Sequence, residues 1–481
     1  MKLNTSYKYI IVTVLLTVTM VSCKLTDPIQ HKESLKAPEN FAITSDSTGI
    51  GNQRWSDFFK DRKLKALIDT AIHNNLDIQM AVQRIEMAQT NILVSRGAML
   101  PMVNAEIAGG GRKFGEYTMD GVGNYDTNFS PNLNDDRLLP APFLPDYFVG
   151  LKSSWEIDIW GKLRTQKKAA YYRMLATEKA KQAITTQLVA DVASLYYNLV
   201  FLDTELDIIR KNIRLQQTAV ETITIQKEGG RANELGVRQF AAQLLNTQGL
   251  EVQILQQINE TENNINVLLG RFPQPISRGT SLEQNTQLIA EAGVPARMLL
   301  RRPDVQQSLL MLSAYYADQQ VAQLAFLPSL NITALLGFNA FKSKLLFSPG
   351  SIAYSALGGL TAPIFNRTFL KAGQKRAEAA SKEALLSYNQ TVLTSFKEVT
   401  TGLKKMDYTN QLTIFKKKEV EVLQQAVATS QDLFLSGYAT YLEIITAQKS
   451  VIEAELGLAN VQRQQYLTLI ELYRSLGGGW E

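Results

Sequence analysis

Residues 188–213, LVADVASLYYNLVFLDTELDIIRKNI, carry the pattern that decides the fold. Apolar side chains recur there at alternating steps of four and three: Leu188, Val192, Leu195, Leu199, Leu202, Leu206, Ile209 and Ile213. This spacing predicts a coiled-coil seam on an α-helix. Because no proline occurs from Lys162 to Lys227, the helix can run through that whole range, roughly 100 Å at a rise of 1.5 Å per residue.

A second stretch, residues 367–435, has the same character. It also lacks proline and spaces its apolar residues compatibly with a helix: Leu385, Val392, Phe396, Val399, Leu403 and Met406. Two helices of this length are more than a compact core needs. They are suited to crossing a wide compartment such as a periplasm.

The two long helices belong to an internal duplication. Matching landmarks recur at equal separations in both halves: Asp77 with Pro101 and Asp304 with Pro328, then Gly230 with Gly270 and Gly437 with Gly477. Each half reads as helix, two strands, a very long helix, a glycine break and another helix. A repeat of this kind dictates architecture, and we place the two copies at residues 63–270 and 295–477.

Four segments have the composition of strands. We predict them at about 101–112, 147–157, 329–341 and 352–363, with loops at 115–146 and 342–350. In residues 329–341 and 147–157 apolar and polar side chains alternate, which suits a strand with one face on lipid and one on water. Four strands cannot close a membrane β-barrel, because the smallest known ones have eight. A dimer would supply eight strands and a trimer twelve, and the sequence alone does not choose between them.

The first residues read as an export signal. Lys2 and Lys8 precede an apolar stretch, and small Ser22 stands before Cys23, the only cysteine of the chain. We therefore assign residues 1–22 to a signal peptide. The tetrapeptide that ends at Cys23 resembles a bacterial lipobox. That resemblance implies acyl chains on Cys23 and a lipid-anchored segment over residues 23–62, and two or three chains make a stable anchor.

Composition argues against nucleic-acid binding and catalysis. The formal charge of +5 over 481 residues is too small to indicate a nucleic-acid partner. His31 and His73 are the only histidines, and the sequence contains no acid pair, metal-ligand cluster or phosphate-binding loop of recognisable spacing. We expect neither enzymatic activity nor a cofactor other than the lipid on Cys23.

Five motifs, in this order, resemble the TolC-like outer-membrane efflux proteins, and in particular their lipoprotein branch. They are Trp155–Lys162 (WEIDIWGK), Leu300–Val305 (LRRPDV), Phe326–Leu330 (FLPSL), Ala362–Asn366 (APIFN) and Leu476–Trp480 (LGGGW). The resemblance extends over nearly all of the chain after residue 23. It implies a mainly α-helical protein with a membrane β-barrel portion, in which a homotrimer closes twelve strands above a long coiled-coil α-helical barrel.

The resemblance also implies location, partners and function. The protein would lie in the outer membrane, in contact with its lipid, with a periplasmic extension that docks to an adaptor protein and through it to an inner-membrane pump of the RND type. It would be a passive export duct for drugs, other small molecules or metal ions. Two alternatives stay open: a channel of the same fold for type I protein secretion, and a periplasmic coiled-coil lipoprotein without a pore.

Residue roles follow from the same resemblance. Trp155, Trp160, Gly161, Pro363 and Asn366 would form the strand-to-helix junctions; aromatic residues of this kind settle at a bilayer interface. Glu443 and Thr446 would lie at the periplasmic aperture, and Gly230, Gly437 and Tyr438 at the adaptor-docking tips. The family usually has acids at the positions of Thr446 and Gly236, so a carboxylate ring built on Glu443 alone would be weaker than usual.

The lipid anchor generates a direct prediction. Cys23→Ala removes the thiol that the acyl chains require, so we expect it to abolish incorporation of radiolabelled palmitate. Ser22→Ala keeps the thiol and serves as the matched control, which should stay labelled. Label retained by the Cys23→Ala protein would refute the assignment.

Overall fold

The computed structural model describes residues 53–279, 296–365 and 367–480. Cys23 and the predicted signal peptide lie outside these residues. The described elements, in chain order, are α1 (Trp55–Phe58), α2 (Arg62–Asn74), α3 (Leu76–Gly97), β1 (Met102–Arg112), α4 (Met119–Thr127), β2 (Leu144–Ile157), α5 (Lys162–Glu228), α6 (Glu234–Leu268), α7 (Pro303–Leu324), β3 (Ser329–Ala340), β4 (Ile352–Thr361), α8 (Arg367–Leu435) and α9 (Tyr441–Ser475).

The two longest helices, α5 and α8, follow the ranges without proline. α5 has 67 residues and α8 has 69, which corresponds to roughly 100 Å each at 1.5 Å per residue. In α5 every residue of the predicted seam is buried except Leu195, which packs partly buried against the same core. The seam therefore forms the central apolar stripe of the chain.

The main core gathers around the middle of α5. Leu64 and Ile68 of α2, Tyr196 and Leu199 of α5 and Tyr473 of α9 are all buried in one cluster. The Tyr473 ring stacks on Phe58 with centroids 4.0 Å apart, and its hydroxyl donates to the carbonyl of Gln53, 2.8 Å away. The start of the described chain is thus fastened against its last helix.

The duplication is visible in the packing. The first copy runs α3–β1–α4–β2–α5–α6 and the second runs α7–β3–β4–α8–α9, so that α4 is an insertion in the first copy. α5 packs against α6 and α8 against α9, and α7 packs against both α5 and α8. Each copy therefore contributes a helical hairpin, and the copies are joined side by side.

The sheet is antiparallel with strand order β1–β2–β3–β4. The two copies meet at the β2–β3 pair, where Leu151 lies opposite Leu336 and Trp155 opposite Ile332. Gly150 lies opposite Gly337, and a Cβ on Gly150 would come within 2.6 Å of the Gly337 Cα. Glycine at this pair is therefore required by close backbone approach. Within the sheet, β1 and β4 each pair with one strand only.

The segments predicted as loops have more structure than expected. Residues 115–146 include α4, in which the Thr118 side chain caps the helix by accepting from the Gly121 N–H, 3.1 Å away. β2 begins at Leu144, three residues earlier than the predicted strand. The prediction missed α4 because glycines at 121 and 123 disfavour a helix on propensity alone, and the Thr118 cap offsets part of that.

Among the described helices, none combines the length and hydropathy that crossing a membrane demands.

Arg302 of the LRRPDV motif joins three helices. Its side chain is buried, yet its guanidinium donates to the Asp304 and Glu398 carboxylates and to the Ser475 carbonyl, all at 2.8–3.0 Å. A buried cation is tolerated only when it is paired and hydrogen-bonded in this way. The motif therefore fixes the start of α7 against α8 and the end of α9.

Leu199 tests the importance of the seam. Leu199→Ala leaves a cavity at a fully buried position, so we expect a loss of about 2–5 kcal/mol in the free energy of unfolding. A lowered midpoint of thermal unfolding, followed by circular dichroism, measures it. Leu245→Ala on α6, where the side chain is largely exposed, is the matched control and should change the midpoint little. Equal midpoints for the two variants would contradict the packing described here.

Candidate functional site

The junction between sheet and helices is held by two tryptophans. Trp155, near the end of β2, donates its indole N–H to the Met99 carbonyl, 3.0 Å away, just before β1 begins. Trp160 donates to the Pro328 carbonyl at 2.7 Å, just before β3 begins. Trp155 thus ties the end of β2 to the turn before β1, in the same repeat. Trp160, just after β2, ties the chain to the matching turn before β3, in the second repeat.

Asp158 starts the long helix α5. Its carboxylate accepts from the backbone N–H groups of Leu163 and Arg164, at 3.0 and 2.9 Å. Gly161 precedes α5 with φ of +79°, a left-handed conformation that favours glycine. A junction role was predicted for Gly161 from the sequence, whereas the capping role of Asp158 was not. Its signal was available, because an acid just before a helix start satisfies free N–H groups there.

The second junction is described only in part. Pro363 lies between the end of β4 and the start of α8, where a missing backbone N–H costs no ladder hydrogen bond. Asn366 falls outside the described residues. The predicted roles of both residues stay predictions.

The tip of the first hairpin is the turn between α5 and α6. Gly230 has φ of +70°, and the Asn233 side chain caps α6 by accepting from the Gly236 N–H at 2.9 Å. Glu234 accepts from Lys227 at 2.6 Å and from Arg238 at 2.7 Å. The hydrogen bond from Lys227, followed by that from Arg238, lowers the pKa of Glu234. The acid at this tip is therefore neutralised by its own neighbours.

The tip of the second hairpin is the turn between α8 and α9. Gly437 has φ of +78°, and Tyr438 is 85% exposed. Glu443 closes a capping box: its carboxylate accepts from the Thr440 N–H at 2.9 Å and from the Thr440 hydroxyl. These bonds, the one from the hydroxyl first, lower the pKa of Glu443. Thr446 is exposed one turn further along α9.

The two tips pack together. Ile223 of α5, Phe240 of α6 and Ile444 of α9 are buried in one apolar cluster. A Cβ on Gly236 would lie 3.3 Å from the ring of Tyr441. The close Tyr441 ring gives a physical reason for a residue without a side chain at position 236. The structure thus brings Gly230, Gly437, Tyr438 and Glu443 to one end of the paired hairpins.

In residues 53–279, 296–365 and 367–480, no three His, Cys, Asp or Glu side chains are grouped in a way that could hold a metal ion.

A four-stranded sheet with unpaired edge strands, continued by two hairpins of very long helices, defines a subunit of a membrane channel. Comparison with known proteins gives the family. The family described as outer membrane efflux protein matches residues 67–271 and 294–478. The chain belongs to this family, and it is an outer-membrane channel component of an efflux system.

Individual relatives span almost the whole chain. The pyoverdine export outer membrane protein OpmQ of Pseudomonas putida is 28% identical over 469 residues, 97% of this chain and 96% of its own length. The cation efflux system protein CusC of Escherichia coli is 25% identical over 470 residues, 96% and 97% of the two chains. The probable outer membrane lipoprotein SilC of Salmonella typhimurium is 24% identical over 467 residues, 96% of each chain.

The fold agrees with a solved structure. A crystal structure of CusC superposes with a TM-score of 0.80 at 25% sequence identity, covering 92% of this chain and 97% of that one. The fold class predicted from the sequence, long helices with a smaller β portion, is confirmed.

Proposed function

We propose that three copies of this chain close a twelve-stranded β-barrel and continue it as one helical tunnel. The observation that carries the proposal is that β1 and β4 each have an unpaired edge within the sheet. In hydrocarbon, backbone N–H and C=O groups must be paired, which a closed barrel achieves and an open sheet does not. Antiparallel neighbours β4 and β1 of successive copies supply the missing bonds.

The exposure of large apolar side chains on β1 and β4 supports contact of these strands with lipid or with another subunit. Ile107 of β1 and Tyr354, Leu357 and Leu360 of β4 are each more than 60% exposed. Large apolar side chains concentrated on two edge strands mark a surface that is not left in water. In the proposed trimer they face lipid or the next subunit.

We further propose that Cys23 carries the lipid anchor and that the hairpin tips dock to a periplasmic adaptor and an inner-membrane RND pump. SilC is described as an outer membrane lipoprotein, and CusC and OpmQ are named for efflux and export. The exposed Tyr438 and the tight turns at Gly230 and Gly437 give the tips a compact shape that fits between helices of a partner. The duct performs no chemistry on drugs, metal ions or other small cargo, and the pump selects what passes.

Glu443 is proposed as the charged residue of the aperture. Three copies around the trimer axis place three carboxylates at one level, and such a ring favours cations. The lowered pKa keeps each carboxylate ionised at neutral pH. The capping box serves a second purpose, because it holds the carboxylate at the start of α9.

Trimer closure is testable by disulfide cross-linking. Once Cys23 is replaced by Ser to remove the native thiol, Ile107→Cys is combined with a cysteine at each position of 353–359 in turn. We expect at least one pair to give covalent trimers on oxidation, because a closed ring of three links every neighbour. Single cysteine variants are the controls. Covalent dimers without trimers would indicate an eight-stranded ring, and monomers alone would refute the barrel.

The aperture role of Glu443 is separable from its capping role. Glutamine can still accept the capping hydrogen bonds, so Glu443→Gln should lower the cation-to-anion permeability ratio while hydrogen exchange at residues 436–446 stays unchanged. Glu443→Ala should lower the ratio and also speed exchange there. Planar-bilayer recordings and exchange mass spectrometry measure the two effects.

A matched control keeps the test specific. Glu421→Gln removes an exposed acid from α8, away from the tip, and should leave the permeability ratio unchanged. If Glu443→Gln left the cation-to-anion permeability ratio unchanged, Glu443 would have only its structural role as a helix cap.

A further inference from the structure

A cavity of about 500 Å³ lies between the two hairpins, next to their tips. Its walls come from α5, α6, α8 and α9. The end nearest the tips is closed by the apolar side chains of Ile223, Phe240 and Ile444. A volume of this size falls within the range of small-molecule binding sites in proteins.

The other end of the cavity is polar, and its one acid is already hydrogen-bonded. The Glu455 carboxylate accepts from the Gln424 side chain at 2.8 Å and from the Asn212 side chain at 3.3 Å. Lys211 also lines the cavity, so one cation accompanies the one acid. Because this carboxylate already accepts two hydrogen bonds and the lining holds one lysine and one acid, the site does not call for a charged ligand.

Two glutamines between these ends have buried side-chain atoms without a hydrogen-bond partner among the described residues. Gln216 is 2% exposed, and neither its Nε2 nor its Oε1 has a partner among the described residues. Gln448 is 9% exposed, and its Oε1 likewise has none there. Both side chains line the cavity. A buried amide without partners costs free energy, so this pair marks a place where a hydrogen-bonding group is missing.

We propose that this cavity binds a small uncharged amphiphile that carries a carboxamide or lactam group. Gln216 presents a donor and an acceptor side by side, and their complement is an acceptor beside a donor, which an amide edge provides. Gln448 offers a further acceptor for a second amide hydrogen. The apolar body of the ligand lies against Phe240, Ile444 and Val451, which also line the site.

Occupancy would connect the two hairpins. The ligand touches α5 and α6 of the first copy and α8 and α9 of the second, so it fixes their spacing near the tips. The site is separate from Glu443, which does not line the cavity. Binding is therefore measurable whether or not the aperture proposal holds.

The test uses the full-length channel in detergent and fluorine NMR. The probe is 4-fluorobenzamide, and fluorobenzene and 4-fluorobenzoate are the matched probes that lack the amide or carry a charge. We expect the benzamide to bind at least about tenfold more tightly than either, the worth of one or two net hydrogen bonds. Equal binding of benzamide and fluorobenzene, or no binding of the benzamide, would overturn the proposal.

Variants locate the site. Gln216→Leu and Gln448→Leu, which nearly preserve volume, should each weaken benzamide binding about tenfold. Gln216→Leu should also raise the unfolding midpoint of the empty protein, because it removes an unpaired amide. Ala219→Phe, which places a ring into the cavity, should abolish binding.

Gln425→Leu on α8 is the matched control for the two glutamine substitutions. Gln425 is exposed and does not line the cavity, so this variant should bind like the wild type. Benzamide binding that survives both glutamine substitutions and Ala219→Phe would show that the probe binds elsewhere, which contradicts the inference.

Discussion

The unpaired edges of the sheet are the constraint on which the rest of the structure depends. β1 and β4 each leave one row of backbone N–H and C=O groups without a strand beside it in the described chain. Hydrocarbon offers no partner for such groups, and each costs several kcal/mol when unsatisfied. A chain with this sheet can reside in a membrane only when a neighbouring chain completes the ladder. The large exposed apolar residues on β1 and β4 agree with the proposed assembly, in which lipid or a neighbouring subunit covers them.

The same constraint explains the junctions. In the proposed assembly, strands of neighbouring subunits pair only if every strand enters the sheet at the same level, so the turns before β1 and β3 have to be fixed. Trp155 and Trp160 do this by donating to the carbonyls of Met99 and Pro328. Asp158 then starts α5 immediately after the strand. The hydrogen bonds of Trp155, Trp160 and Asp158 thus stabilise the junction at which β2 ends and α5, a helix roughly 100 Å long, begins.

The spacing of apolar residues along the chain predicted the long helices, whereas it could not predict contacts between residues far apart in the sequence. α5 extends to Glu228, one residue beyond the predicted end, because heptad spacing and the absence of proline are properties of the segment itself. The partners of Arg302 were invisible, since Glu398 and Ser475 lie 96 and 173 residues away. α4 was missed because its glycines at 121 and 123 disfavour a helix on propensity alone, and the Thr118 cap that offsets part of this depends on local geometry. At the candidate site, the turn glycines were predictable and the contact between Gly236 and Tyr441 was not.

The two hairpin tips hold their acids in different ways, and the difference bears on the proposed aperture. In the first hairpin Glu234 is held by Lys227 and Arg238, so its charge is compensated where it stands. In the second, Glu443 accepts hydrogen bonds from uncharged Thr440, and within the capping box its charge remains uncompensated. The helix start favours that negative charge, and the capping bonds keep the pKa low. Of these two acids, Glu443 therefore suits the proposed aperture role better than Glu234, because its stabilising hydrogen bonds come from an uncharged residue and leave its charge uncompensated.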